Sequence, residues 1–145
     1  MNIAIVTGAS SGMGKEFVKQ LSGYVKVDEV WVIARREQAL KELQALCPYS
    51  IRPLAFDLGK EESFVSISAL LEKEQPDVKL LVNAAGFGKF GRFEKIPLAD
   101  ELGMIDLNCK ALVAMTRIVL PYMHRGSHIL QLDSLSAFQP VPFIT

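Results

Sequence analysis

Cysteine is scarce in this chain. Cys47 and Cys109 are the only two in 145 residues. They lie far apart without C-x-x-C spacing, so they read as ordinary buried thiols in a reducing compartment rather than a disulfide framework. An excess of charge is missing too: 16 Lys and Arg balance 16 Asp and Glu. The clustered basic surplus that a phosphate backbone demands is therefore absent, which argues against nucleic acid as partner. No apolar run approaches the roughly 20 residues of a membrane span. A strand-like run begins within two residues of Met1, leaving no room for a signal peptide. The expectation is a cytoplasmic globular protein with no membrane partner. His124 and His128, the only histidines, flank a turn without metal or triad spacing and are expected at the surface. Hydrophobic residues make up 50% of the chain, enough for one core in one domain without disulfides or a structural metal.

That apolar content is organised as an alternation. Ile3-Ala4-Ile5-Val6, Val30-Trp31-Val32-Ile33, residues 51–56, Leu80-Leu81-Val82 and residues 129–132 read as strands. Their nearly all-apolar character suits strands covered on both faces. Pro53 marks the third as an edge strand. Between them come helical patterns: Met13, Phe17, Val18 and Leu21, ending at Gly23; Leu40, Leu43 and Leu46, stopped by Pro48; Phe64, Ile67 and Leu71, ending before Pro76. A long helix follows from about Asp100 to His124, with Leu107, Ala111, Met115 and Ile118 on one face. Strand and helix alternate at βαβ lengths, with no repeat or low-complexity tract. The expected fold is α/β: a Rossmann-type, doubly wound parallel sheet with helices on both faces.

The first strand runs straight into Thr7-Gly8-Ala9-Ser10-Ser11-Gly12-Met13-Gly14 and then a helix. Glycines there let the backbone turn tightly and approach a pyrophosphate, whose charge faces the helix N-terminus. The spacing is G-x-x-x-G-x-G rather than G-x-G-x-x-G. A P-loop is excluded, because it would need glycine at 9 and Ser or Thr at 16, where Ala9 and Glu16 stand. This stretch resembles the T-G-x-x-x-G-x-G signature of classical short-chain dehydrogenases/reductases. Asn83-Ala84-Ala85-Gly86, after the fourth strand, matches that family's second signature, N-A/N-A-G. The resemblance covers the whole chain, element by element in family order. It implies an oxidoreductase that transfers hydride between a nicotinamide cofactor and an alcohol or carbonyl substrate.

The resemblance also assigns residues. Gly8, Ser10, Ser11, Gly12, Met13 and Gly14 would face the cofactor, with Asp57-Leu58 beside the adenine and Asn83, Ala84, Ala85 and Gly86 at the fourth strand's end. NAD-binding relatives place a carboxylate at the end of the second strand to bind the ribose hydroxyls. Here Arg35-Arg36 stands, and a guanidinium can hold a 2′-phosphate by charge-assisted hydrogen bonds. The expectation is therefore NADP, with NAD as the alternative. Against it, Ser11 occupies the position before the second glycine where many NADP-binding members carry a basic residue. The other reading of the arginines is a pair of solvated charges opening a helix.

For catalysis the resemblance implies a serine, an asparagine holding a proton-relay water, and a Tyr-Lys pair. Asn108 matches the asparagine. Ser134 is the preferred serine and Ser136 its competitor; Asp133 replaces the first of the family's usual two serines, while Pro140 and Pro142 fit the spacing from Ser134. No tyrosine is followed four residues on by lysine: Tyr24, Tyr49 and Tyr122 all fail. The motif is expected just beyond Thr145. Residues 1–145 then form the N-terminal portion of a longer single-domain protein, incomplete on the C-terminal side of its sheet and inactive alone. The long helix would lie at a homodimer or homotetramer interface in the complete protein. Two rival readings remain: a nucleotide-binding regulatory or structural protein with this fold, and an S-adenosylmethionine-dependent methyltransferase. The second would want an acidic residue where Arg35 stands.

Overall fold

The computed structural model describes residues 1–139 and 141–143; the proline at 140 and the last two residues, which entered the sequence spacing above, lie outside them. Five parallel strands form one sheet: β1 (Asn2–Thr7), β2 (Glu29–Ala34), β3 (Ser50–Ala55), β4 (Asp77–Asn83) and β5 (His128–Gln131), in the order β3-β2-β1-β4-β5. The strand order reverses at β1, where the chain moves first to one side and later to the other. A doubly wound sheet opens its crevice at that reversal, beyond the carboxyl ends of the strands.

Side-chain alternation along the strands feeds two cores. Ile3, Ile5, Trp31, Ile33 and Leu81 pack with helix α3 (Glu61–Glu74) and the long helix through Ile67, Leu71, Ala111, Met115 and Val119. Ala4, Val6, Val30, Val32 and Val82 face the other way, onto helices α1 (Gly12–Gln20) and α2 (Glu37–Lys41) through Val18, Leu21, Leu40 and Leu43. All-apolar strands are thus the consequence of helices on both faces, as the sequence pattern implies. β3 is an edge strand, where Pro53 can lack its donor. α3 ends with Gln75 in the left-handed conformation (φ 45°), just before Pro76.

Several boundaries differ from the expectation. α2 is short; residues 42–46 tighten into a 3₁₀ turn, and Leu46 is exposed at its exit. Met13 opens α1 but lies in its first turn, mostly exposed, rather than on the buried face. The long helix is two α segments, α4 (Leu98–Ile105) and α5 (Ala111–Val119), joined by a π-helical segment at Asp106–Lys110. It stops short of His124, because Pro121 admits only a 3₁₀ turn at Leu120–Tyr122. β4 starts at Asp77 rather than Leu80, and β5 ends at Gln131. Cys109 is exposed on the π segment, not buried.

No helix among the described residues is long and apolar enough to cross a membrane. No cluster of His, Cys, Asp or Glu among them could hold a metal ion.

Candidate functional site

A crevice of about 390 Å³ opens at the carboxyl ends of the strands, on the reversal point of the sheet. It is lined by Gly8, residues 10–14, 33–36, 56–58 and 84–86, and Leu107. Every residue expected at the cofactor is in that lining except Asn83. Ile33, Ala34, Phe56 and Leu107 join them without having been singled out. The first three flank the ends of β2 and β3, so the strand assignment itself was the available signal.

The glycines are required by contact as well as conformation. Gly8 has φ 67°, and a Cβ there would stand 2.6 Å from the Ala84 carbonyl oxygen. A Cβ on Gly14 would fall 2.5 Å from the Gly8 oxygen. The turn, the first helical turn and the end of β4 therefore meet backbone to backbone. Thr7, buried at the end of β1, secures that meeting: its Oγ1 accepts from the N–H of Ala84 (3.0 Å) and of Ala85 (3.1 Å). The first position of the quoted signature is thus a clamp between the two glycine-bearing loops. No side chain caps α1. Its first N–H groups, with the positive end of the helix dipole, remain for an anion at the crevice.

At the far end of the crevice stand the two arginines. Arg36 Nη2 donates to the carbonyl oxygen and the Oγ of Ser10, each at 3.2 Å, bridging β2 to the glycine-rich turn. Arg35 lines the crevice without a hydrogen-bond or ion-pair partner among the described residues. Asp57 does two things. Its Oδ1 accepts from the Gly59 N–H at 3.1 Å and its carbonyl accepts from Ser63 Oγ at 2.6 Å, fixing the turn into α3. It also lines the crevice beside the buried Leu58.

Asn83 is elsewhere. It is buried, and its Nδ2 donates to Thr116 Oγ1 (3.1 Å) and Gln131 Oε1 (2.9 Å), while Gln131 Nε2 donates to Thr116 Oγ1 (2.9 Å). This triangle ties β4, α5 and β5 together. The side chain turns away from the crevice because polar partners lie behind the strand, and nothing in the local sequence announces Thr116 and Gln131.

The residues expected to be catalytic lie beyond the crevice lining. Asn108 is at the centre of the π segment. Its Oδ1 accepts from the Phe87 N–H (3.0 Å) and its Nδ2 donates to the Phe87 carbonyl (2.8 Å). It braces the loop that leaves β4, against the space left by Gly86, where a Cβ would sit 3.0 Å from Oδ1. Ser134 is exposed three residues past β5, capping a 3₁₀ turn at Leu135–Ala137. Its Oγ accepts from the Ser136 N–H at 3.1 Å, which leaves the hydroxyl proton free to donate. None of the three tyrosines lines the crevice. The Tyr49 hydroxyl is buried without a partner, and burial pushes its pKa far up.

A parallel sheet with a glycine-cradled crevice at its reversal point defines a Rossmann-type nucleotide-binding fold. The sequence model of the short chain dehydrogenase family matches residues 2–145, and the chain belongs to that family. It is 35% identical over 142 residues to the Haemophilus influenzae protein named "Probable NADP-dependent dehydrogenase", covering 94% of this chain and 55% of that one. It is 34% identical over 140 residues to an NADP-dependent 3-hydroxy acid dehydrogenase of Schizosaccharomyces pombe, covering 91% and 53%. A short-chain dehydrogenase structure from Streptomyces avermitilis superposes with a TM-score of 0.83 at 28% identity, over 98% of this chain and 52% of that one. The chain spans about half the length of the curated relatives it matches.

Proposed function

We propose that the complete protein is an NADP-dependent oxidoreductase acting on an alcohol or carbonyl substrate. The observation that carries this reading is the crevice, with a backbone cradle at one end and an arginine pair at the other. Gly8 and Gly14 let the turn, the first helical turn and the end of β4 close on one another, and Gly12 (φ 54°) borders open space in the crevice. The uncapped start of α1 would take the pyrophosphate. Arg35 and Arg36 would hold a 2′-phosphate, and Asp57 and Leu58 would flank the adenine. The NADP-dependence of the two curated relatives is in keeping with this.

When bound, the nicotinamide would supply or accept the hydride. The chain's own residues position and polarise. Ser134 would donate its free hydroxyl proton to the reacting oxygen. Asn108 would fix the loop after β4 and, through the second lone pair of Oδ1, hold a water for proton relay. The acid/base tyrosine and its lysine, implied by the family resemblance, have no counterpart in residues 1–145. This stretch alone is accordingly expected to show no ketone-dependent NADPH oxidation.

In the complete protein, Arg35→Asp with Arg36→Ile should move preference from NADP toward NAD. Hydrogen bonds to charged groups contribute roughly 1.5–3 kcal/mol, about ten- to hundredfold in affinity. Calorimetric titration of both cofactors on both proteins measures it; an unchanged NADP/NAD ratio removes the arginines from the reading.

A further inference from the structure

The triangle of Asn83, Thr116 and Gln131 closes on the strand end that leads to Ser134. Asn83 and Gln131 are the last residues of β4 and β5, and they stand opposite each other in the parallel register. Thr116 reaches both from α5, and its hydroxyl is used in full. It accepts from Asn83 Nδ2 and Gln131 Nε2 and donates to the Leu112 carbonyl at 2.8 Å. One backbone bond completes the corner, from the Leu132 N–H to the Asn83 carbonyl at 3.1 Å.

Beyond Leu132 the chain leaves the sheet. Among the described residues, the hydrogen bonds of residues 133–139 stay within that stretch: Ser134 Oγ takes the Ser136 N–H, and the Ser134 and Leu135 carbonyls take those of Ala137, Phe138 and Gln139. Ser134 thus inherits its place relative to the crevice from the end of β5. That strand has four residues and bonds to β4 alone among the described strands. Asn108 is held independently, since both its side-chain bonds go to the backbone of Phe87. The triangle therefore bears on the serine rather than on the asparagine.

We infer that Thr116 and Gln131 are positioning residues for Ser134, fixing the end of β5 against α5 so that the serine hydroxyl meets the reacting oxygen. The inference rests on the oxidoreductase reading above and adds two residues to that same site. Its physical basis is the steep dependence of rate on placement: a shift of about 1 Å, caused by a substitution away from the chemistry, can cost about 100-fold.

The test uses the full-length protein with NADPH and three carbonyl probes: propanal, ethyl acetoacetate and 3-phenylpropanal. Thr116→Val keeps the side-chain shape and removes the hydroxyl. It should lower kcat about 10- to 100-fold on the probes that are turned over, while NADPH affinity holds. Thr116→Ser keeps the hydroxyl and should keep most of the rate. A double-mutant cycle decides the mechanism: on a Ser134→Ala background, Thr116→Val should cost less than about twofold more, because the group it positions is already gone. Losses that multiply across the two sites overturn the inference alone, as does serine at 116 being as slow as valine. A Thr116→Val or Ser134→Ala enzyme with wild-type kcat overturns it too. If Thr116→Val does not fold, Gln131→Met, at the partly exposed corner of the triangle, runs the same cycle with the same expectations. No turnover of any probe by the wild type, with NADPH bound, overturns the oxidoreductase reading and this inference with it.

Discussion

The sheet has two edges, and they are finished differently. At β3 the strand carries Pro53, and Arg52 donates to Glu74 at the end of α3 through two hydrogen bonds of 2.6 and 2.7 Å. The Arg52 guanidinium also sits 4.9 Å from the ring centroid of Trp31, whose Nε1 donates to Glu29 at 2.7 Å. Proline and charge are the devices that keep an edge from pairing further. Over residues 1–145, which span about half the length of the curated relatives, β5 carries neither: its four residues, His-Ile-Leu-Gln, leave Ile129 and Leu130 at 37% and 39% exposure. An apolar hollow bounded by Phe17, Leu21, Tyr24, Leu80 and Leu130 lies alongside. The part of the crevice proposed for the adenosine end of the cofactor lies toward the finished edge, at the ends of β2 and β3. The half expected to hold the reacting carbon stands beside the open one.

The largest expected effect sharpens that contrast in stability. Trp31 is fully buried, so Trp31→Ala should cost about 3–5 kcal/mol, the range for removing a large aromatic from a core. It would also remove the indole donor from Glu29, leaving Arg52 at 3.9 Å as its charged partner, and strip the ring from beneath Arg52. Leu130→Ala, in β5, should cost less, about 1–2 kcal/mol, since at 39% exposure part of its area already stays in water. Denaturant unfolding of each variant measures both. Equal losses would mean that the β5 edge is as well covered as the other.

How far the sequence alone reaches follows the same divide. Near β1, β2 and β3, strand placement, the edge position of β3 and nearly the whole crevice lining are legible. There the determinants are local: a backbone glycine turn, strand ends, and a proline. Asn83 shows where that stops. Its motif is plain in the sequence, but its side chain answers to Thr116 and Gln131, 33 and 48 residues away. The π segment around Asn108 is likewise invisible, because helical periodicity tolerates one inserted residue. Phe87, the partner Asn108 braces, carries no sign of that role. Pro121, by contrast, was there to be read, and it ends the long helix earlier than the apolar face suggests.

The next effect concerns chemistry on the open side. In the complete protein, Ser134→Ala should lower kcat by about 10²–10³, the usual loss for one preorganised donor at a developing oxyanion. NADPH affinity should hold, because Ser134 lies outside the crevice lining. Ser136→Ala should cost less than about tenfold: the bond it makes to Ser134 uses its backbone N–H, which alanine keeps. Steady-state kinetics with a fluorescence titration of NADPH separate these outcomes. If Ser136→Ala is the crippled variant, the register after β5 is two residues away from the one argued here.

The smallest effect belongs to the finished edge. The two hydrogen bonds from Arg52 hold the Glu74 carboxyl below its ordinary value of 4.5. A depressed folded-state pKa means that the folded state binds the proton less readily than the unfolded chain. Its stability contribution is then complete above the unfolded-state value and lost as pH falls through the folded-state one. Both side chains are partly exposed, 31% for Arg52 and 25% for Glu74. Solvent screening therefore limits the contribution to about 1 kcal/mol at most. Glu74→Gln should destabilise the fold slightly at neutral pH and flatten the loss of stability between about pH 4.5 and the more acidic range. Urea midpoints compared across that window, variant against wild type, report it. Parallel curves would show that Arg52 and Glu74 close the β3 edge through packing of the guanidinium on Trp31 rather than through charge.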